Sequence, residues 1–399
     1  MIKRELYMKR IRPFIGNDLI KVMTGVRRAG KSVMLELVQE ELLEAGVSQS
    51  QFICINFENM QYAHLQTAQN LHSEILERAA EIKGKVYLFF DEIQEVTDWE
   101  KCINSLRVSL DCDIYITGSN AFLLGAELAT LFTGRYIGIH VFPFSFREYC
   151  QYYNEIDDKE KLFDEYTIKG GLAGSYAYNT EADIIRYVKE VYETIVTRDL
   201  VQKYSLTDTL VLQRLSEFLM DNISNLTSPN KVSQLMTANK TTTNHVTVGR
   251  YIKYLCNAFV FYDIKRYDIR EKKYLGSSEK FYLCDTGIRY AVLGSRNMDY
   301  GRVYENIFCM ELLRREYSVY VGKLYQKEID FVAQKGDEKI YIQVSDNISD
   351  HKTLERECQP LLQIRDAYPK KIIARTQHPK YSYEGIEICD IVDWLLQEG

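Results

Sequence analysis

Residues 25–32 have the types and the spacing of a phosphate-binding loop. The run fits the pattern G-x-x-x-x-G-K-[ST], whose glycines let the backbone turn its N–H groups toward phosphate oxygens. Lys31 is expected to reach the β- and γ-phosphates and to assist catalysis, and Ser32 to offer its hydroxyl to Mg²⁺. The predicted nucleotide-binding residues here are Gly25, Val26, Arg27, Arg28, Ala29, Gly30, Lys31, Ser32 and Val33.

Two adjacent carboxylates, Asp91 and Glu92, end the apolar run that begins at Val86. Such a run is typical of a strand buried on both faces of a parallel sheet. Ligands of open α/β sheets bind at the carboxyl ends of the strands. We therefore expect Asp91 to hold Mg²⁺ through water and Glu92 to activate the attacking water as the base. The alternative is a strand that merely meets solvent.

Three further polar residues are candidates for the same site. Ser119 and Asn120 follow the β-like run 113–117, where they could contact the γ-phosphate or orient the water. A turn rich in glycine, serine and asparagine has a structural explanation as well. Arg135 could stabilise transition-state charge as an arginine finger does, from this chain or from a neighbouring subunit; a solvated cap is the alternative.

The elements that must position these residues are a strand before the loop, within 19–24, and a helix after it, from Val33 onward. With them, the run 4–149 resembles the AAA-type P-loop ATPases known in bacteria and archaea only as ATP-binding proteins. The matching pieces are 24–32, 89–94, 117–119, 133–135 and 142–148. The resemblance implies a sheet of five parallel strands, with the P-loop strand central and helices on both faces. It also implies ATP as the nucleotide, together with Mg²⁺.

Composition narrows the class of protein. The 399 residues predict two to three domains, and 46% hydrophobic with 27% charged residues is typical of globular proteins. No 18-residue apolar stretch and no signal-like N-terminus is present, which predicts a cytoplasmic protein. The 9 cysteines are scattered, so neither a zinc site nor a disulfide framework is indicated. The net charge of −6 means that any DNA contact needs a local basic patch.

The pattern after the ATPase-like region predicts further domains. We predict an ATPase core over 1–150, a helical lid or linker over 151–208, a winged helix over 209–295, and a nuclease-like domain over 296–399. The winged helix has predicted helices at 212–223, 229–236 and 241–255 and wing strands at 259–264 and 280–284. Its candidate DNA contacts are Lys240, Asn244, Arg250 and Lys253. A plain protein–protein module is the alternative.

The C-terminal hundred residues resemble the PD-(D/E)xK nuclease fold. Asp330 matches the metal-binding aspartate of that fold, and Glu305 on the preceding helix could add a carboxylate. Gln343 and Ser345 stand where active members have a glutamate and a lysine. A degenerate scaffold is therefore favoured over an active nuclease.

The lead hypothesis is Mg²⁺-dependent ATP hydrolysis that switches the C-terminal domains, with a protein partner or duplex DNA as the target and with oligomerisation open. The alternatives are a DNA-binding regulator or defence factor that uses ATP as a slow switch, and an ATP-licensed metal-dependent nuclease.

Overall fold

Two sheets organise the chain in a computed structural model, which describes residues 2–121, 132, 134–154, 158–295 and 298–398. Each sheet belongs to its own compact unit. The N-terminal unit comprises Met1–Phe142 and Asn257–Phe259, and the C-terminal unit comprises Pro143–Cys256 and Val260–Gly399. None of the described helices is both long enough and apolar enough to span a membrane.

The N-terminal unit is built on five parallel strands in the order β2-β3-β4-β1-β5. The strands are β1 Ile20–Thr24, β2 Phe52–Asn56, β3 Val86–Asp91, β4 Cys112–Gly118 and β5 Tyr136–His140. The helices are Glu5–Ile11, Lys31–Glu44, Ala68–Ala80 and Trp99–Ser109, with 3₁₀ turns at Arg12–Phe14, Gln49–Gln51, Met60–Leu65 and Ile93–Glu95. The predicted P-loop NTPase sheet, flanked by helices, is confirmed.

Burial explains why these segments are strands. Every residue of β1, β3 and β4 is buried, as expected where helices cover both faces of a parallel sheet. On one face the helices Ala68–Ala80 and Trp99–Ser109 pack their apolar sides against Val22, Leu88 and Ile114. One expectation needs correction: β1 lies between β4 and β5, so the P-loop strand is interior but β4 is the middle strand.

The C-terminal unit contains a mixed sheet of nine strands in the order β13-β14-β12-β11-β10-β9-β7-β8-β6. The strands are β6 Leu226–Thr227, β7 Phe261–Asp268, β8 Lys273–Leu283, β9 Ser318–Leu324, β10 Lys327–Lys335, β11 Glu338–Ser345, β12 Lys370–Ala374, β13 Tyr381–Tyr383 and β14 Ile386–Asp390. The helices are Phe146–Tyr153, Lys159–Lys169, Glu181–Thr194, Thr209–Asp221, Pro229–Ala238, His245–Asn257, Thr286–Leu293, Tyr300–Arg314, His351–Leu362 and Ile391–Leu396. A 3₁₀ turn covers Ala173–Ala177, and a π-helical stretch, Ile195–Gln202, extends the helix Glu181–Thr194.

The sheet runs without interruption across the predicted boundary at 295/296. Residues 266–268 of β7 pair in parallel with residues 321–323 of β9, so the predicted wing hairpin and the predicted nuclease-like strands share one sheet. The three predicted helices and two predicted strands of the 209–295 region occur at nearby bounds. The names winged helix and nuclease-like domain stay predictions, as do the three boundaries between the four predicted domains.

A tight backbone crossing joins the two ends of the 160–290 region. Asp285 accepts hydrogen bonds from the N–H groups of Gly171 and Gly287. A Cβ on Gly171 would lie 2.2 Å from the carbonyl oxygen of Phe144, and one on Gly170 would lie 1.9 Å from Asp285 Oδ1. The sequence indicated ordinary turns at these glycines, whereas close packing is what requires them here.

Candidate functional site

The loop between β1 and the helix Lys31–Glu44 has the geometry of an anion cradle. Gly25 follows β1 with φ 151°, and a Cβ there would lie 2.0 Å from the carbonyl oxygen of Val141. Gly30 caps the helix with φ 94°, so the N–H groups at the positive end of the helix dipole lie at the loop. At position 25, the positive φ and the lack of room for a Cβ can be met only by glycine unless the backbone moves.

The ammonium of Lys31 lies at the mouth of this loop. Its side chain is nearly buried, with Nζ 3.2 Å from the carbonyl oxygen of Gly25 and 3.3 Å from that of Val26. The same nitrogen is 3.5 Å from Glu92 Oε1. The loop lysine and the carboxylate that directly follows β3 therefore meet.

Asp91 ends β3 inside a network of hydroxyl and amide donors. The hydroxyls of Thr117 and Ser32 donate to its carboxylate, and Asn56 Nδ2 donates to Oδ2 at 2.9 Å. Burial raises the pKa of Asp91 above its ordinary value, which these hydrogen bonds and Lys31 only partly offset. Ser32 and Asp91 are thus in direct contact, and both remain candidates for binding Mg²⁺.

Glu92 directly follows β3 and has a left-handed backbone, with φ 55°. Its N–H donates to Thr117 Oγ1 at 2.9 Å, and its carboxylate accepts from Gln94 and Ser119. Burial alone would raise the pKa of Glu92, but Lys31 and these donors together hold it below the ordinary value. Glu92 is therefore a charged carboxylate at neutral pH.

The remaining candidates of this unit divide into two groups. Ser119 and Asn120 are buried directly after β4, at the sheet edge where the loop lies. Arg27 is buried and pairs with Glu58 Oε1 at 2.9 Å, whereas Arg28 is exposed.

Arg135 does not reach this edge. It precedes β5, and its carbonyl accepts from Ile20 at the start of β1, whereas the loop follows the end of that strand. The five residues of β1 separate the two edges by roughly 16 Å. Arg135 is thus not placed to act on the site of its own chain, and a role at a neighbouring subunit stays a prediction. Thr133, part of the same motif, lies outside the described residues.

Four residues at this site escaped the sequence analysis. Asn56 and Thr117 occupy the carboxyl ends of β2 and β4, and the rule that singled out Asp91 would have found them. Arg4 donates to the carbonyl of Ala29 in the loop and to that of Phe142, both at 2.8 Å. His140 Nδ1 lies 3.2 Å from Thr24 Oγ1, and burial, with Lys31, lowers the pKa of His140 to about 3. No local signal marks either Arg4 or His140.

The candidate DNA contacts lie on and just before the helix His245–Asn257. Lys240, Arg250 and Lys253 are exposed, and Arg250 and Lys253 share one helical face. The side chain of Asn244 accepts from the N–H of Thr247 at 2.9 Å, so it caps the helix. Three cations are therefore accessible to a partner, while Asn244 is used locally.

The candidate nuclease-like residues also come together. Asp330 on β10 donates its N–H to Gln343 Oε1 at 2.7 Å, and both Glu305 and Asp330 approach a lysine that the sequence analysis missed, Lys280 on β8. Among the residues described, no group of three or more His, Cys, Asp or Glu side chains is arranged to hold a metal ion.

Comparison with known proteins bears on both units. Residues 17–150 match the AAA domain family, and residues 160–299 match a domain of unknown function. An uncharacterised protein of Haemophilus influenzae is 40% identical over 401 aligned residues, covering 100% of this chain and 99% of the relative. An uncharacterised protein of Methanocaldococcus jannaschii is 29% identical over 359 residues, covering 86% of this chain and 77% of the relative.

A solved structure was also found, a chain from the structure of Drosophila ORC bound to AT-rich DNA and Cdc6. It has a TM-score of 0.25 and 10% identity, covering 72% of this chain and 90% of that one. A likeness this weak carries no argument about fold or function.

Proposed function

The chain belongs to the same family as the uncharacterised Haemophilus influenzae protein, its residues 17–150 form an AAA domain, and on that premise we propose that it binds ATP with Mg²⁺ and hydrolyses it. One observation carries the proposal: Lys31, the Ser32–Asp91 pair and Glu92 meet at one edge of the parallel sheet. A loop lysine, a hydroxyl, a metal-holding carboxylate and a second carboxylate are the set that phosphoryl transfer to water requires.

The donor set fits both nucleotide and metal. The bend at Gly25, too close to Val141 for any side chain, leaves the loop backbone free to turn N–H groups toward phosphates. Ser32 offers a hard oxygen ligand, and the carboxylate of Asp91 beside it can bind a water of the Mg²⁺ shell, which suits an ion that keeps several waters. When bound, Mg²⁺ neutralises charge on the β- and γ-phosphate oxygens.

The contact between Lys31 and Glu92 can couple the binding of ATP to the basicity of the Glu92 carboxylate. The ammonium of Lys31 helps to keep the pKa of Glu92 low while the two groups are in contact. An ammonium that turns to phosphate stabilises the carboxylate less, so the pKa of Glu92 rises toward its ordinary value and the carboxylate becomes a better proton acceptor. Ser119 and Gln94 hold the carboxylate in place meanwhile.

The test is phosphate release from ATP by the wild type and Glu92→Gln, with nucleotide affinity measured in parallel. Removal of a general base costs roughly 10²–10⁴-fold in turnover, so Glu92→Gln should bind ATP but scarcely hydrolyse it. Lys31→Ala should lose tight binding because the charge facing the phosphates is gone. Full hydrolysis in Glu92→Gln would refute the assignment of the base.

A second candidate function is DNA contact by the helix His245–Asn257, favoured by its exposed pair Arg250 and Lys253. On this hypothesis the region 209–295 acts as a winged helix whose partner binding responds to the ATPase. Filter binding to duplex DNA at several salt concentrations tests it. Arg250→Glu/Lys253→Glu should flatten the salt dependence by about two units of slope, whereas Lys83→Glu, an exposed charge of the other unit, should not. Affinity that is weak and equal in all three proteins would leave a protein partner as the target.

A further inference from the structure

A buried lysine stands at the centre of an acidic pocket in the C-terminal unit. Lys280, on β8, is 2% exposed, and three carboxylates surround its ammonium. Nζ is 2.7 Å from Glu328 Oε1, 2.9 Å from Glu305 Oε1 and 3.6 Å from Asp330 Oδ1. Glu305 comes from the helix Tyr300–Arg314, while Glu328 and Asp330 come from β10. Three separate elements thus direct their charges to one point.

The other groups of the pocket hold the carboxylates in place. Tyr282 donates its hydroxyl to Glu305 Oε1 at 2.6 Å, and the N–H of Val344 donates to Asp330 Oδ2 at 2.9 Å. Gln343 is uncharged. Its Oε1 accepts from the N–H of Asp330, and its Nε2 donates to Glu357 at 3.2 Å. Ser345 donates to the carbonyl of Asn347. Each of these hydroxyl, amide and N–H groups therefore has a protein partner.

The pKa shift of Lys280 is the one expected for a cation buried among carboxyl groups. Burial would lower the pKa of Lys280, but Glu305, Asp330 and Glu328 raise it above the ordinary value, so the ammonium stays charged. Burial also raises the pKa of Glu305, and burial followed by the charge of Glu305 raises the pKa of Asp330 to about 8, so Asp330 binds a proton in most molecules at neutral pH. An isolated carboxylate at this depth would be costly, and the ammonium is what compensates it.

We propose that the ammonium of Lys280 permanently occupies the cation position of this pocket, in the place that a divalent metal would take among Glu305, Glu328 and Asp330. The wild-type sheet then takes no metal there and carries no metal-dependent nuclease activity. Its charges stabilise the junction of β8, β10 and the helix Tyr300–Arg314 instead. This inference concerns the C-terminal unit and is independent of ATP turnover.

Without its lysine, the pocket should bind a metal ion. Lys280→Met keeps an unbranched side chain but removes the cation that contacts all three carboxyl groups, so a cation from solution should enter and displace the proton that Asp330 binds. The present distances of 2.7–3.6 Å exceed the roughly 2.0–2.1 Å that Mg²⁺ demands, and the roughly 2.3–2.6 Å of Ca²⁺ requires less movement. Calcium is therefore the probe.

Calorimetry with Ca²⁺ on the full chain measures this directly. Lys280→Met should bind one more equivalent of Ca²⁺ than the wild type, with a dissociation constant of about 10⁻⁵–10⁻³ M. The extra equivalent should be absent in Lys280→Met/Asp330→Asn. Ca²⁺ should also raise the melting temperature of Lys280→Met while leaving that of the wild type unchanged.

Three outcomes would overturn the proposal. The first is binding of Ca²⁺ or Mn²⁺ by the wild type that Asp330→Asn abolishes. The second is Mn²⁺-dependent plasmid cleavage by the wild type with the same dependence on Asp330. The third outcome covers the case in which Lys280→Met does not fold. Lys280→Met/Glu305→Gln removes one charge of each sign and should fold without added metal. If it folds while Lys280→Met stays unfolded in Ca²⁺, no cation can replace the ammonium.

Discussion

At the scale of single residues, the pKa values of two adjacent carboxyl groups at the end of β3 shift in opposite directions. Asp91 and Glu92 are both buried, yet burial raises the pKa of Asp91 while the ammonium of Lys31 and further donors keep the pKa of Glu92 low. The two side chains differ in their contacts: Glu92 lies 3.5 Å from Lys31, whereas Asp91 accepts hydrogen bonds from Ser32 and Thr117. The two carboxyl groups therefore differ in pKa although they are neighbours in sequence, which is consistent with the different roles proposed for them.

Asn56 should matter for the metal although it is no ligand. Its Nδ2 donates to Asp91 Oδ2, so Asn56→Ala removes a donor that orients the carboxylate and favours its charged form. The Mg²⁺ concentration for half-maximal phosphate release should then rise roughly 10-fold or more. Asn70→Ala, an exposed asparagine of the helix Ala68–Ala80, is the control. An unchanged Mg²⁺ requirement in Asn56→Ala would remove Asn56 from the site.

At the scale of elements, the close approach of two chain segments decides which positions must be glycine. The loop after β1 passes the segment at Val141 so closely that a single Cβ does not fit, and the crossing at Gly170 and Gly171 is as tight. Such contacts define where elements end and how they join, and local turn rules do not report them.

A comparison of Gly25→Ala with Gly46→Ala separates the cost of a close contact from the cost of a positive φ. Both glycines have positive φ, 151° and 90°, but only Gly25 meets another atom, at 2.0 Å. Gly46→Ala should cost about 1 kcal/mol of unfolding free energy for its backbone, and Gly25→Ala about 3 kcal/mol together with loss of ATP binding. Chemical denaturation and nucleotide titration measure both. Equal costs for the two variants would contradict the reported contact.

Asp285 should give the C-terminal unit a pH-dependent stability. Burial raises its pKa to about 6 despite hydrogen bonds from Gly171 and Gly287, against 3.8 for an exposed carboxyl. The folded state therefore binds the proton more tightly, and this residue's contribution to the unfolding free energy falls as pH rises from about 4 to about 6. The difference in unfolding free energy between wild type and Asp285→Asn should decrease by on the order of 3 kcal/mol over that window. A difference that stays flat with pH would contradict it.

At the scale of the whole molecule, the chain divides into a parallel-sheet unit that carries the nucleotide residues and a second unit with one continuous mixed sheet. The second sheet takes β6–β8 from the region predicted as a winged helix and β9–β14 from the region predicted as nuclease-like. Lys280 and its carboxylates span the same join, since β8 lies before residue 295 and Glu305, Glu328 and Asp330 after it. Charge and hydrogen bonding therefore both cross the predicted boundary.

A chain ending at residue 295 should not fold its C-terminal part independently. Truncation removes β9 and exposes the edge of β7 at residues 266–268, and it also leaves Lys280 buried without its carboxylates. We expect aggregation or loss of cooperative unfolding in the remaining 143–295 region, detected by circular dichroism and light scattering. A soluble, cooperatively folded truncated chain would instead support the predicted boundary at 295/296.

The sequence by itself determined the loop motif, the two adjacent carboxylates at the end of β3 and the parallel α/β class. These rest on short-range rules: a loop motif lies within eight residues, and a run such as 86–91 indicates its own burial. The placement of Ser119 and Asn120 followed from the same rule about strand ends.

Only the tertiary structure decided which distant residues meet. The partnership of Asn56 with Asp91, of Arg4 with the loop, and of Lys280 with its three carboxylates depends on strand order and on how helices cover the sheets. The far-edge position of Arg135 and the merging of two predicted domains into one sheet have the same origin. Side-chain chemistry is encoded locally, but the pairing of strands brings charges together across long stretches of chain, and no spacing in the sequence records it.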